Sequence, residues 1–423
     1  MNETTRSPLK QALIDALIVA VIASLVFGPI TGLVLKGYEV QNFLHRPAIM
    51  VALAAIGRFI ISYASHTEAG QNFLQRLSSK RGAGVTVAEK EQKLWPILVI
   101  GLVAGILLPM LLSKYWMTVI IQAMIYVLLG LGLNIVVGLA GLLDLGFVAF
   151  YAVGAYGLAL GSQYLGLGFW TALPFAMLVA ATFGLLLGFP VLRMHGDYLA
   201  IVTLGFGEII RLILNNWLEF TGGPNGAWAP APTLFGLEFS RTAKYGGTPY
   251  HEYFGIDYSS AMRYIVIYVI LFLVVCAAIW LVTRLKRAPV GRAWEALRED
   301  EIACRSLGLN HVIVKLSAFS LGATIGGLGG VFFATYQGFI NPSSFTFFES
   351  ALILAIVVLG GMGSTIGVII AALVLTIAPE LLREFSDFRV LVFGMLMVGM
   401  MIWKPRGLIR IKRQKFASKG API

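Results

Sequence analysis

The sequence predicts an all-α membrane protein, a polytopic helix bundle with about 10–12 membrane segments, some of them short or broken. Of the 423 residues, 58% are hydrophobic and 13% are charged, whereas about a quarter of the residues in a soluble domain are charged. The apolar residues gather in long runs separated by charged segments. Each run is predicted to be helical, because a helix satisfies its own backbone hydrogen bonds in hydrocarbon.

The apolar runs give the order of the predicted segments. The region from 345 to 382 is too long for one crossing and contains Gly360–Ser364 (GGMGS), whose glycines open a helix. This region is therefore predicted to hold two short segments. The runs lie at about 12–35, 47–63, 95–112, 116–139, 142–160, 169–192, 198–217, 262–283, 316–337, 345–382 and 390–403.

Lysine and arginine residues cluster in three connections and set the predicted orientation. They are concentrated at 76–93, 284–292 and 404–415, and such clusters mark the cytoplasmic side of a membrane. The linker 64–94, the tail 408–423 and both termini are therefore predicted to be cytoplasmic.

Composition and motifs exclude several classes of function. The net charge of +11 comes from residues that flank apolar runs, so it indicates topology and not nucleic-acid binding. Cys276, Cys304 and five dispersed histidines give neither a disulfide framework nor a metal site. Thr221–Gly226 (TGGPNG) is predicted to be a tight turn, since the Gly-Lys of a phosphate loop occurs nowhere. Without a nucleophile or cofactor motif, the chain is predicted not to be an enzyme and to need no cofactor.

Polar residues within one predicted span are the first candidates for a functional site. Glu208, Arg211 and Asn215 are spaced by three and four residues, so they share one face of a helix. In one interpretation they line a translocation path, because charges in hydrocarbon are costly and commonly functional. In the other, Glu208 and Arg211 form an internal ion pair that holds helices together.

A second candidate site is the glycine-broken stretch Gly138–Gly146 (GLAGLLDLG). It follows Asn134 and contains Asp144, and broken helices expose backbone polar groups near the membrane middle. We expect the stretch to face the path, with Asp144 itself capping the following helix.

Closely spaced glycines predict tight helix packing. Gly322, Gly326 and Gly330 recur every four residues, which lets a neighbouring backbone approach. Gly361 and Gly363 of the GGMGS segment are assigned the same role.

The charged stretch Ala293–Asn310 (AWEALREDEIACRSLGLN) predicts an amphipathic helix over about 290–308, between Pro289 and Gly308. One interpretation is a solvated surface helix, and the other is a helix that docks into the cleft of a soluble partner. The apolar half comprises Ala293, Trp294, Ala296, Leu297, Cys304 and Leu307, the charged half comprises Glu295, Arg298, Glu299 and Arg305, and Asp300 and Glu301 interrupt the apolar half.

Five segments together carry a family resemblance: Gly132–Gly157, Arg193–Trp217, Thr221–Gly226, Gly291–Asn310 and Ala355–Gly367. They closely resemble the permease subunits of bacterial branched-chain amino acid ABC importers, and in particular the LivM-type subunit. The resemblance covers most of the chain from about residue 116 to 407. It implies a permease core at 116–407, extra membrane segments at 1–115 and a basic tail at 408–423.

The resemblance implies an importer of several subunits in the bacterial inner membrane. This permease would pair with a second homologous permease in the lipid bilayer, two cytoplasmic ATPases would power the pair, and a periplasmic binding protein would deliver leucine, isoleucine or valine. The charged stretch resembles a degenerate coupling loop of such importers. The implied ATPase-coupling residues are Trp294, Glu295, Leu297, Arg298, Glu301, Ala303 and Gly308, and the candidate path residues are Asn134, Asp144, Tyr151, Tyr156, Thr203, Glu208, Arg211 and Asn215.

Other interpretations remain open at the level of the sequence. A permease of the same architecture for other amino acids or small polar solutes is one. A secondary carrier driven by an ion gradient is another, and it would leave the charged stretch without a role. A membrane scaffold without a path is argued against only by the intramembrane Glu208 and Arg211.

Overall fold

The computed structural model describes residues 112–381, except 193, 195, 235, 240–246, 256 and 258, together with 33–36, 39–42, 52, 105–106, 108–110 and 394. The chain divides into two compact units, one of Met1–Leu102 with Leu381–Asp387 and one of Val103–Glu380 with Phe388–Ile423. Most of the predicted segments at 12–35, 47–63, 95–112 and 390–403, the linker 64–94 and the tail 408–423 lie outside the described residues.

The first unit is described through one antiparallel strand pair, β1 (Leu33–Lys36) and β2 (Glu39–Asn42). The prediction that a helix extends to residue 35 is therefore wrong at that end.

The second unit is built from helices. Six described helical stretches are long and apolar enough to cross a membrane, namely Lys114–Leu139, Phe169–Pro190, Tyr198–Asn216, Ser260–Arg287, His311–Gln337 and Pro342–Gly360. This confirms the predicted all-α polytopic bundle. The helices are α1 (Lys114–Leu133), α2 (Val148–Leu165), α3 (Phe169–Val191), α4 (Asp197–Asn216), α5 (Leu218–Thr221), α6 (Tyr250–Phe254), α7 (Ser260–Arg287), α8 (Pro289–Glu299), α9 (Glu301–Ser306), α10 (His311–Gln337), α11 (Phe347–Gly360) and α12 (Thr365–Leu381).

The helix α1 continues into a π-helix at Asn134–Leu139, after which residues 140–147 are not helical. The predicted segment 142–160 is thus displaced, because α2 begins at Val148 and ends at Leu165. Gly141 has a φ of 74°, a left-handed conformation that interrupts a helix and that glycine adopts without strain.

The long helix α10 lies at the centre of the core and packs against α1, α2 and α3. Three of its glycines face backbone or side chains of α2, of the π-helix and of the break between them. A Cβ added at Gly330 would lie 2.1 Å from the carbonyl O of Tyr151, and one at Gly326 would lie 2.8 Å from the ring of Phe147. Gly322 would meet Val136 at 2.6 Å, so each of these glycines allows an approach that a larger residue prevents.

The predicted break in the region 345–382 is confirmed at the GGMGS segment. Helix α11 ends at Gly360 and α12 begins at Thr365. Gly361 and Gly363, which were assigned to helix packing, lie in the turn between these helices with φ values of 101° and 85°. Their conformations serve the turn, since residues with a Cβ rarely adopt them.

Short strands and turns form the connection between α4 and α7. Strand β3 (Ala227–Trp228) pairs antiparallel with β7 (Phe339–Ile340), and β4 (Thr233–Leu234), β5 (Leu237–Glu238) and β6 (Thr248–Pro249) form a small sheet. The predicted turn at TGGPNG is confirmed. Gly222, Gly223 and Gly226 all have positive φ around a short 3-10 helix.

Candidate functional site

The predicted polar stripe on α4 contains an ion pair. The Nε and Nη2 atoms of Arg211 both lie 2.8 Å from Oε2 of Glu208. Both side chains are 34% exposed. Asn215 lies at the end of the same helix and is half-buried.

Helix α4 is a peripheral helix of this chain, so the Glu208–Arg211 pair lies at an edge of the bundle. Hydrocarbon is a costly environment for partly exposed charges in the middle of a crossing helix. The free face of α4 is therefore suited to a polar cavity or to another protein. The same helix also exposes large apolar side chains, namely those of Tyr198, Ile201, Ile209, Leu212 and Ile213.

The break between α1 and α2 buries Asp144 beside Thr203. Oδ1 of Asp144 accepts a hydrogen bond of 2.8 Å from the N–H of Gly146, and the Thr203 hydroxyl accepts one of 3.0 Å from the N–H of Leu145. The expectation that Asp144 caps α2 is wrong. Its acceptor bond closes a turn within the break, and α2 begins without a side-chain cap.

Asn134, the first residue of the π-helix, joins that helix to the GGMGS turn. Its side chain is fully buried, and its Oδ1 accepts a hydrogen bond of 2.7 Å from the N–H of Gly363. The Nζ of Lys286, near the end of α7, donates a bond of 2.8 Å to the carbonyl O of Gly363. Two side chains from different helices thus satisfy both backbone polar groups of one turn residue.

Tyr151 and Tyr156 are buried within an aromatic cluster and do not line an opening. The ring centroid of Tyr151 lies 5.2 Å from those of Phe333 and Phe345, and that of Tyr156 lies 6.1 Å from Phe345. Among the described residues, the hydroxyl of Tyr156 has no hydrogen-bond partner. Of the eight candidate path residues, the structure brings only Glu208 and Arg211 into direct contact at a partly exposed surface.

The sequence interpretation missed a polar contact between two membrane-crossing helices, from the middle of α1 to the first turn of α11. The hydroxyl of Tyr126 on α1 donates a hydrogen bond of 2.7 Å to Oε2 of Glu349 on α11. The signal was present in the sequence, because Tyr115, Thr118, Gln122 and Tyr126 are spaced by three and four residues in an apolar run.

The charged stretch forms two helices, α8 and α9, and not the single helix predicted over 290–308. Asp300 separates them, and its Oδ1 accepts hydrogen bonds from the N–H groups of Ile302 and Ala303. An aspartate at the N-cap position stabilises the start of a new helix, so the capping side chain explains the interruption.

Most of the apolar half of the charged stretch faces the chain itself, so this part is not a free docking face. The Trp294 side chain has no exposed surface, and its Nε1 lies 3.0 Å from Oγ of Ser317 and 3.2 Å from the carbonyl O of Val314 on α10. Leu297 and Cys304 are also buried. These residues fix the charged stretch to α10, whereas Ile302 is 77% and Leu307 is 81% exposed.

An ionic contact fixes α9 to the first turns of α10. The Nζ of Lys315 is buried and lies 2.9 Å from Oε2 of Glu301, which also binds Arg305. Burial of the Glu301 carboxylate raises its pKa, but hydrogen bonds and positive charges from Lys315 and Arg305 outweigh that effect and hold the pKa below its usual value.

Arg298 connects the charged stretch to the break between α1 and α2. Its Nη1 donates a hydrogen bond of 2.5 Å to the carbonyl O of Gly138, and a Cβ at Gly141 would lie 2.7 Å from the Arg298 side chain. A cavity of about 230 Å³ lies beside this contact, lined in part by Gly141, Met194, Arg298 and Lys315. Any movement of α8 therefore acts directly on the backbone of the break.

Comparison with known proteins gives a consistent family. Residues 115–403 match the family model described as branched-chain amino acid transport system / permease component. The chain is 55% identical over 331 residues to the high-affinity branched-chain amino acid transport system permease protein LivM of Escherichia coli (strain K12), a match that covers 78% of this chain and 77% of that protein.

Two more distant relatives have other names. The high-affinity branched-chain amino acid transport system permease protein LivH of Escherichia coli (strain K12) is 24% identical over 298 residues, which cover 67% of this chain and 91% of LivH. The autoinducer 2 import system permease protein LsrC of Salmonella paratyphi B is 32% identical over 145 residues, which cover 31% of this chain and 42% of LsrC. No solved structure matches the chain.

Proposed function

Because this chain belongs to the family of branched-chain amino acid transport system permease components, we propose that it transmits the work of ATPase subunits to an amino acid path. The chain is a multi-pass membrane protein and the permease of a branched-chain amino acid transport system. It pairs with a second, LivH-like permease in the inner membrane, and a periplasmic binding protein delivers leucine, isoleucine or valine. Two cytoplasmic ATPases bind the pair.

The contact between Arg298 and Gly138 carries the proposal. The segment α8–α9 lies between two membrane-crossing helices, α7 and α10. Through Arg298 it binds Gly138 of the π-helix and lies against Gly141 of the break that follows. A short polar segment in that position has no need to reach a transmembrane break if it is only a solvated connection. It is suited to pass a displacement from a cytoplasmic partner to the path.

The exposed face of α9 is the proposed docking surface for an ATPase subunit. Ile302 and Leu307 expose most of their apolar surface in an otherwise charged segment, and exposed apolar side chains rimmed by charges are typical of protein contacts. Trp294 and Leu297 anchor the segment from below. The other residues proposed to belong to the coupling segment are Glu295, Arg298, Glu301, Ala303 and Gly308.

The path itself lies along the free face of α4 and at the break near Asp144. The Glu208–Arg211 pair accounts for its own charges, so its proposed role is to keep this face polar where the second permease and the cavity meet it. Binding of the substrate carboxylate by Arg211 and of the ammonium by Glu208 would require both to leave their 2.8 Å contact. The buried side chains proposed to pack behind the path are those of Asn134, Thr203, Tyr151 and Tyr156.

Uptake by the assembled complex tests this proposal. Proteoliposomes holding both permeases and the ATPases, with loaded binding protein outside, are expected to accumulate radiolabelled leucine only when ATP is inside. Leu307→Asp is expected to abolish ATPase binding and uptake. Tyr253→Asp changes an exposed aromatic residue in the connection between α4 and α7 and is expected to leave ATPase binding intact. Equal uptake with and without ATP would identify a gradient-driven carrier instead.

A further inference from the structure

The Tyr126–Glu349 contact places a carboxylate at mid-membrane depth. Tyr126 lies midway along the helical stretch Lys114–Leu139, and its hydroxyl donates to Oε2 of Glu349 at 2.7 Å. Both residues are half-buried, and the neighbouring Phe348 is 80% exposed. Glu349 therefore keeps part of its surface exposed.

Glu349 differs from Glu208 and Glu301 in its lack of a cation. Glu208 is paired with Arg211, and Glu301 is paired with Lys315 and Arg305. Within the part of the chain that the structure describes, no Lys or Arg forms an ion pair with Glu349, whose hydrogen-bond partner is a neutral phenol. A carboxylate in hydrocarbon is costly without a positive partner, so this arrangement is incomplete until a cation arrives.

The residues around Glu349 favour an organic ammonium group over a metal ion. The ring of Tyr151 packs at 5.2 Å from that of Phe345, four residues before Glu349. Aromatic faces attract organic ammonium groups. A metal ion such as Ca²⁺ needs six or more oxygen ligands, and one carboxylate with one phenol does not supply them.

A polar face on α1 leads from its first turn to this position. Tyr115, Thr118, Gln122 and Tyr126 lie on one side of the helix, and the hydroxyl of Tyr115 donates to Glu380 of α12. The two tyrosine–glutamate contacts are about 16 Å apart along the axis, at 1.5 Å per residue. Acidic groups therefore stand at the start of the crossing helix and at its middle.

We infer that Glu349, positioned by Tyr126, binds the α-ammonium group of an apolar amino acid in transit. The inference rests on the proposed function and adds a substrate contact to it. The ammonium group of the substrate completes an ion pair with Glu349. The nearby aromatic residues contact the apolar side chain of the amino acid. The carboxylate thereby offsets the cost of bringing a charged amino group to the membrane middle.

The test is uptake by the full complex carrying Glu349→Gln, Tyr126→Phe or the control Glu219→Gln, whose side chain lies on the exposed helix α5. Glu349→Gln is expected to lower the maximal uptake rate about tenfold, the size expected when one charged partner is lost. The concentration of loaded binding protein that gives half the maximal rate, and the ATPase activity that it stimulates, should not change. Tyr126→Phe should lower the rate less, and Glu219→Gln should not lower it.

Two leucine analogues add a readout that a structural role would not change. Isopentylamine, which is leucine without its carboxylate, is expected to inhibit uptake by the unaltered complex, to inhibit less in Tyr126→Phe and to have no effect on the residual uptake of Glu349→Gln. Isocaproate, which is leucine without its ammonium, should not inhibit any of them. Equal inhibition of all variants by the amine would overturn the inference.

Two other outcomes would also overturn it. One is a Glu349→Gln complex that transports at the unaltered rate. The other is loss of the second permease on purification of that variant, which would assign Glu349 to an ion pair between the two permeases. If the unaltered complex shows no ATP-dependent leucine uptake, the proposed function fails instead, so the two failures are distinguishable.

Discussion

Lys286 and Gly363 are 77 residues apart in the sequence, yet the Nζ of Lys286 donates a 2.8 Å hydrogen bond to the carbonyl O of Gly363. Lys286 is in the last turn of α7, three residues before α8 begins. Gly363 lies in the turn between α11 and α12 and is also bound by Asn134 of the π-helix. The helix that leads into the coupling segment is thus tied to two interrupted membrane helices at one point.

Replacement of Asn134 by Leu tests the buried half of this connection. The leucine is similar in size but cannot accept the hydrogen bond from Gly363, and a buried N–H without a partner costs about 1–3 kcal/mol. We expect Asn134→Leu to lower the midpoint of thermal unfolding of the purified permease. Asn216→Leu, at an exposed position of α4, should change it little, and an equal shift in the two variants would contradict the role given to Asn134.

The main expected effect of Trp294→Ala is on the stability of the permease and not on the docking of the ATPase. The indole is fully buried against α10, and truncation of a buried Trp costs about 3–5 kcal/mol. Trp228→Ala removes a side chain that is 74% exposed and is the matched control. Thermal unfolding in detergent measures both, and a Trp294→Ala protein as stable as its control would show that the indole leaves α10 in solution.

The Glu301–Lys315 pair predicts a dependence of stability on pH. The pKa of Glu301 is lowered in the folded state, so the pair stabilises the fold above the unfolded-state pKa of about 4.3, and that stabilisation is lost as the pH falls through the lower, folded-state value. Glu301→Gln leaves Lys315 buried without its partner and should cost up to about 3 kcal/mol at neutral pH. The cost should vanish in acid.

The unfolding midpoints of Glu301→Gln and of the unaltered protein, measured from pH 7 to about pH 3, should converge as the pH falls. Arg305→Gln removes only the more exposed partner of Glu301, so it should cost less than about 1 kcal/mol. A constant difference between Glu301→Gln and the unaltered protein at every pH would contradict the assignment.

Local sequence patterns predicted much of the bundle. Long apolar runs located the crossing helices, and the glycines of GGMGS located the turn between α11 and α12. The spacing of Glu208 and Arg211 predicted a shared face, on which they form an ion pair. In each case the information lies within a few residues of the feature, because helix formation and turn formation are local.

Local sequence patterns did not predict the contacts between distant segments. The glycines of Gly138–Gly146 predicted the break before α2, but nothing in the local pattern distinguished the π-helix from the apolar helix that precedes it. The partner of Asn134 is 229 residues away. Periodicity placed Trp294 and Leu297 on one face of α8 but gave no sign that α10 covers that face. The Tyr126–Glu349 contact joins two helices that the sequence interpretation did not pair, although the polar spacing on α1 was visible.

The most direct measurement is the amount of leucine taken up per ATP hydrolysed by a reconstituted complex in which Lys286 is replaced by Met. This substitution keeps the length of the side chain and removes the hydrogen bond to Gly363. If α7 and α8 transmit the movement of the ATPases to the interrupted helices, ATP hydrolysis should persist while uptake per ATP falls several-fold. Unchanged uptake per ATP would contradict the proposed transmission.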